Sequence, residues 1–293
     1  MAAFLSGISI VCFAASYGVA LACEASRLVI RSGVRGAVMV GFATAGLVAH
    51  ALFLGWRAAN EAALPLSSPF DWYLLAAWLL AAFYLYLTIT NPRTPVGLFT
   101  LPVVLLLVTA AQFSSREPFP RSPATQVWGA IHGVFNLAAS VSVAIGAIAG
   151  LMWLIQAGRL ARKQAPLQGF RMPSLERLAQ VTGRTLAISA WMAAAGFASG
   201  IVLNAVNLRC GLLETVPWTD PVVLRMGALV VWLIAADALA AAARRRPDGA
   251  RTGARLSLVS LAVLATSIAW GVLGPTRHGG GPLQPTAGTE AAP

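Results

Sequence analysis

The sequence predicts an all-α polytopic integral membrane bundle of about eight transmembrane helices, with both termini on the extracytoplasmic side. Three observations predict it. Of the 293 residues, 58% are hydrophobic and 11% charged, a balance far from that of soluble domains. Apolar windows near 20 residues, the length that crosses a hydrocarbon core about 30 Å thick, recur along the chain. Basic residues crowd alternate connections, so the net charge of +11 reads as a topology signal rather than a nucleic-acid patch.

The first span, 5–26, opens at MAAFLSGISIVCF with no basic leader and no small-residue cleavage site, and is read as a retained span. The next seven centre on 36–55, 71–90, 96–112, 127–157, 185–206, 222–243 and 256–274. Connections holding Arg27, Arg31, Arg35, Arg93, Arg159, Arg162, Lys163 and the arginines of 244–255 are assigned to the cytoplasm. The opposite connections, 56–70, 113–126 and 207–221, carry fewer cations, and each contains proline, which suits irregular backbone at the interface. Within the long inner connection 158–184, PSLERL is expected to form a short helix capped by Ser174, with Leu175 and Leu178 on the interface. Residues 1–274 then make one transmembrane domain, and the Gly/Pro/Ala-rich 275–293 an extracytoplasmic disordered tail.

The chemistry on offer is narrow. No HExxH, GxSxG, Walker loop or GxGxxG stands in a suitable setting, and the outer acids Glu61, Asp71, Glu117, Glu214 and Asp220 are dispersed. Cys12, Cys23 and Cys210 lack metal-ligand spacing; Cys12 and Cys210 are read as a disulfide or as two buried thiols. All three histidines, His50, His132 and His278, fall near the outer face. On the fifth span Trp128, His132 and Asn136 repeat every fourth residue, stacking an aromatic, an imidazole and an amide on one helix face. His132 suits a haem ligand or a hydrogen-bonded packing residue, and His50 a bond to a neighbouring helix. Trp128 and Trp218 are candidates for the interfacial aromatic belt. Lower on the fifth span, Gly146 and Gly150 form a GxxxG step that admits a close neighbour. Asp237, inside the seventh span, is either a proton-handling residue or the partner of an arginine at the inner surface.

Several stretches resemble the CcsA/HemX-type cytochrome c assembly proteins: LPLSSPFDWYLLAAWLLAAFYL at 64–85, VGLFTLPVVLLL at 96–107, the histidine-bearing helix 128–157, GFASGIVLNAVN at 196–207 and PWTDPVV at 217–223. That family handles haem at the outer membrane face on a tryptophan-rich platform flanked by histidines. The resemblance implies His132 and His278 as axial ligands to the iron of a non-covalent haem b, with Trp218, Asp220, Pro221 and Trp128 around the porphyrin. Relative to the family motif, Thr219 replaces a tryptophan, an upstream Trp-Gly pair is missing, and Val222-Val223 stands where Lys-Glu is common. The implied role is holding haem, at a bacterial inner membrane and among its lipids, for an apocytochrome c or a maturation partner with a large extracytoplasmic domain. Any ligation of haem would need that partner. The alternative is a HemX-like regulatory or interaction protein of tetrapyrrole metabolism without haem, acting through 158–184.

Overall fold

The computed structural model describes residues 9–27, 33–60, 68–92, 94–117, 123–163, 172–210 and 216–273. Among these it is all-helical, with eight helices: α1 (Ile10–Ser26), α2 (Gly33–Asn60), α3 (Pro69–Thr90), α4 (Gly97–Gln112), α5 (Pro123–Ala161), α6 (Leu175–Cys210), α7 (Pro221–Ala243) and α8 (Gly249–Leu273). Six of them, α2, α3, α5, α6, α7 and α8, are long and apolar enough to cross a membrane; α1 and α4 are apolar but shorter. At 16 residues, α4 spans about 24 Å, less than a full hydrocarbon core. Large apolar side chains such as Val231, Leu106 and Trp191 face outward, the surface expected of a multi-pass protein solvated by lipid. The tail 275–293 and His278 lie outside the described residues.

Helix starts follow local chemistry. Ser68 caps α3 by accepting from the Asp71 amide at 3.3 Å while donating to the Asp71 carboxylate at 2.7 Å, a reciprocal arrangement that satisfies donors the first turn would leave open. Arg57 at the end of α2 donates to the same carboxylate at 2.8 Å and lies 4.7 Å from the centre of the Phe70 ring. An acid expected only as a dispersed outer charge therefore ties α2 to α3. Asp220 and Pro221 start α7 as N-cap and first helical residue, a pairing suited to proline because its missing N–H would be unsatisfied anyway.

Short connections make consecutive helices antiparallel neighbours, and the packing closes them into two quartets. In the first, α1 packs on α2 and α4, and α3 on α2 and α4; in the second, α5 packs on α6 and α8, and α7 on the same two. Contacts of α5 with α3 and α4 join the quartets. Phe13, Tyr17, Phe70, Leu74, Tyr84 and Leu101 fill the first core, and Ala139, Val143, Ala193, Leu229, Leu233 and Leu264 the second. The second is built from smaller side chains, so its backbones come closer. The close approach made possible by GxxxG is realised: a Cβ on Gly146 would lie 2.5 Å from Thr185 Oγ1 of α6, and one on Gly150 2.8 Å from the Ala254 carbonyl of α8.

Alternation also sorts charge. The ends carrying Arg27, Arg159, Arg177, Arg184 and the 244–255 arginines gather on one side, hereafter the basic end. There Glu24, fully buried, pairs with Arg27 at 3.1 Å and accepts from the Tyr84 hydroxyl at 3.5 Å, linking α1 to α3.

One expectation is corrected. PSLERL is not a separate interfacial helix; it is the first turn of α6, which starts about ten residues before the expected span. Ser174 does cap it, accepting from the Arg177 amide at 3.2 Å, but Leu178 is buried among Ile148, Met152, Trp153 and Ala254, with Leu175 packed on that cluster. No proline interrupts 175–185, so the helix continues once a core is available for Leu178. Cys12, expected in a disulfide or buried, is a free and exposed thiol, Cys23 is free and half-buried, and the side chain of Cys210 lies outside the described ones.

Gly150→Leu should overpack the α5–α8 contact, at a typical cost of ~1–3 kcal/mol, and lower the melting temperature of the detergent-purified protein by several degrees. Gly158→Leu, whose Cβ meets nothing within 4 Å, should leave it unchanged, and equal melting of the two variants would refute the packing argument.

Candidate functional site

The end of the second quartet opposite the basic end collects most of the polar groups singled out from sequence. His132 lies about two turns inside α5, with Asn136 one turn below. His132 Nδ1 is 2.7 Å from the Gly196 carbonyl on α6, and Asn136 Nδ2 is 3.2 Å from Nε2 and 2.8 Å from the His132 carbonyl. A carbonyl only accepts, so Nδ1 carries the proton and Nε2 the lone pair. The imidazole is thereby fixed in tautomer and in direction.

Room for this pair comes from two glycines. A Cβ on Gly196 would stand 3.0 Å from the Asn136 amide, and one on Gly200 2.9 Å from His132 Cε1 and Nδ1. The next residue at this four-residue spacing is Asn204, which exchanges two hydrogen bonds with Val216, each 3.0 Å long. Gly196, Gly200 and Asn204 thus form one stripe of α6. Its first two positions cradle the imidazole and amide, and the third holds the chain entering PWTDP about one helical turn, roughly 6 Å, beyond His132. From sequence, GFASGIVLN served only as part of a resemblance. Its GxxxGxxxN spacing was the available signal for these supports.

Trp218 is 59% exposed in the turn that follows, with its indole uncovered, whereas Asp220 is 5% exposed. The Asp220 amide donates to the Pro217 carbonyl at 2.9 Å, and its carboxylate accepts from the Val222 amide at 2.8 Å. WTDP is therefore a turn and a helix cap that presents one tryptophan. Arg225, one turn into α7, donates to the Ser267 carbonyl of α8 at 3.3 Å and brings the last turns of α8 to the same level. Trp128 is half-buried on α5, one turn above His132. An indole that sequence reasoning passed over is Trp72 of α3, which lies so close over Gly133 that a Cβ there would be 2.1 Å from its ring.

His50 does not join this group. It is fully buried in the first quartet, stacked on Phe13 at 4.1 Å and 3.3 Å from the Tyr17 hydroxyl, so the expected bond to a neighbouring helix is what is found. Asp237 makes no arginine pair among the described residues, contrary to one of the two expectations; its Oδ1 is buried without a partner, as is Ser257 Oγ on the facing helix. Among the described residues no cluster of three or more His, Cys, Asp or Glu side chains could hold a bare metal ion. What the site offers is a single imidazole with one defined lone pair, an amide beside it and an exposed indole above.

Asn204→Ala removes both bonds to Val216, each worth about 1 kcal/mol. Amide hydrogen exchange at Val216 should accelerate at least tenfold, and an unchanged rate would mean that Asn204 does not hold the turn. The chain matches no family model, no curated protein and no solved structure.

Proposed function

We propose that the protein holds haem at the end of the bundle opposite the basic end and offers it to an apocytochrome c or a cytochrome c maturation partner, that end being extracytoplasmic in a bacterial inner membrane. The observation that carries this reading is the fixed tautomer of His132. Metal-ligating histidines commonly donate their second ring N–H to a carbonyl, which orients the ring and raises its basicity. His132 makes this bond to Gly196 and directs its Nε2 lone pair elsewhere. Haem is the cargo, and the work of the chain is to hold and release it.

Each neighbouring residue then has a task. Asn136 donates to Nε2 at 3.2 Å in the haem-free chain and must turn aside for iron, keeping the imidazole satisfied before loading and after release. Trp218 supplies an exposed indole face for the porphyrin. Asp220 acts through the backbone, because capping α7 fixes the turn that presents Trp218. Trp128 stands one turn above the imidazole. His278, drawn from the family resemblance as second axial ligand, follows Leu273 by five residues. Extended chain of that length reaches up to ~18 Å.

The second reading, a haem-free regulatory or interaction protein of the HemX type, is favoured by one observation: both ring nitrogens of His132 are already satisfied within the chain, by Gly196 and Asn136. The two readings part in an absorption spectrum. Purified protein given haem and reduced with dithionite should show a Soret band and sharp α and β bands, and His132→Ala should lose them while still melting cooperatively as a folded protein. Spectra identical to free haem in both proteins would overturn the haem-holding proposal in favour of the second reading.

A further inference from the structure

At the basic end, α6, α7 and the first turn of α8 line an open cavity of about 560 Å³ that no part of the proposed haem site uses. Its volume falls in the ~300–1,000 Å³ range of small-molecule sites. Ala179, Gly183 and Ala187 of α6, Ala240 of α7 and Gly253 of α8 make its walls, and Arg184 and Arg244 stand at it as cations. Small side chains explain why three packed helices leave a space here. Arg244 reaches across it, its guanidinium 3.7 Å from where a Cβ on Gly183 would be. Among the described residues neither arginine has an ion-pair partner. The one acid in the lining, Glu176, is engaged by Gln180 on its own helix at 3.3 Å.

Two unpaired guanidiniums over an apolar cavity select a phosphate attached to something apolar. The outer face of α6 indicates the attachment. Arg184, Ile188 and Trp191 follow i, i+4, i+7 spacing and form one stripe; Ile188 is 48% and Trp191 73% exposed. The stripe has a cation at the membrane surface and a wide apolar track running inward, the layout of a phospholipid lying against a helix. We infer that this cavity binds the phosphate headgroup of an anionic phospholipid, with an acyl chain along Ile188 and Trp191. A soluble phosphate would use the arginines and leave the apolar track unused.

The test uses the full chain purified in mild detergent and native mass spectrometry, with phosphatidylglycerol and phosphatidylcholine as probes. Wild type should retain phosphatidylglycerol at least several-fold over phosphatidylcholine. The Arg184→Gln/Arg244→Gln variant should lose that preference, whereas Arg251→Gln, an exposed cation at the same end outside the lining, should keep it. Trp191→Ala should weaken retention with both arginines in place. Melting temperatures without added lipid identify any variant that is simply unfolded; both arginines are exposed, so the double variant should melt as wild type does. Equal retention of the two lipids, or an unchanged preference in the double variant, would overturn the inference. Displacement of phosphatidylglycerol by millimolar glycerol phosphate or inorganic phosphate would overturn it in favour of a soluble-anion site.

Discussion

Close backbone approach around α5 is the constraint on which the rest of this structure depends. Within a hydrocarbon core, burying apolar surface against apolar lipid gives little drive to associate, and helices hold together through van der Waals contact and a few internal hydrogen bonds. Glycine makes both available. Gly146 and Gly150 let α5 press on α6 and α8, and Gly196 and Gly200 on α6 return the favour to α5. At the last two positions the space left by the absent side chains is filled by an imidazole and an amide, and the Gly196 carbonyl is near enough to accept a hydrogen bond from the imidazole. The packing device and the polar site are thus the same contact viewed at two depths.

Much of this was legible in the chain because membrane helices obey simple rules. Window length and composition located the helices, and the arginine distribution identified the two ends. The Trp128, His132 and Asn136 spacing placed imidazole and amide on one face. What sequence could not supply was the partner face. Nothing in HGVFN says that Gly196 will meet His132, since that depends on how two helices rotate against each other. Ser174 was readable as a cap, but whether Leu178 met lipid or protein was decided by Met152 and Trp153 on a helix distant in sequence. Asp71 is the same case: its role is set by Arg57, on a different helix. Gly196 and Gly200 carried a readable spacing, and Asn204 extended it, yet the pattern gains meaning only when the opposite helix is known.

The two ends of the molecule differ in kind. The basic end is rich in cations, keeps one buried acid paired through Glu24 and Arg27, and leaves Arg184 and Arg244 over a cavity. The other end is nearly neutral, and two of its arginines are engaged: Arg57 with Asp71, and Arg225 with backbone carbonyls of α7 and α8. Spare positive charge thus collects at one face, and polar contacts between helices at the other.

The division into two quartets bears on how the chain is made. Every helix pair in the first quartet, including the closing contact of α1 with α4, lies within residues 10–112. These four helices can make their contacts with one another while the remainder is still being synthesised, since domains generally form as units in order of synthesis, and Ala144 of α5 joins their core afterwards. When α5 emerges it meets a surface formed in part by Trp72, which comes to lie over Gly133, and the second quartet can assemble against that template. The order of translation would then itself steer α5 into its central place.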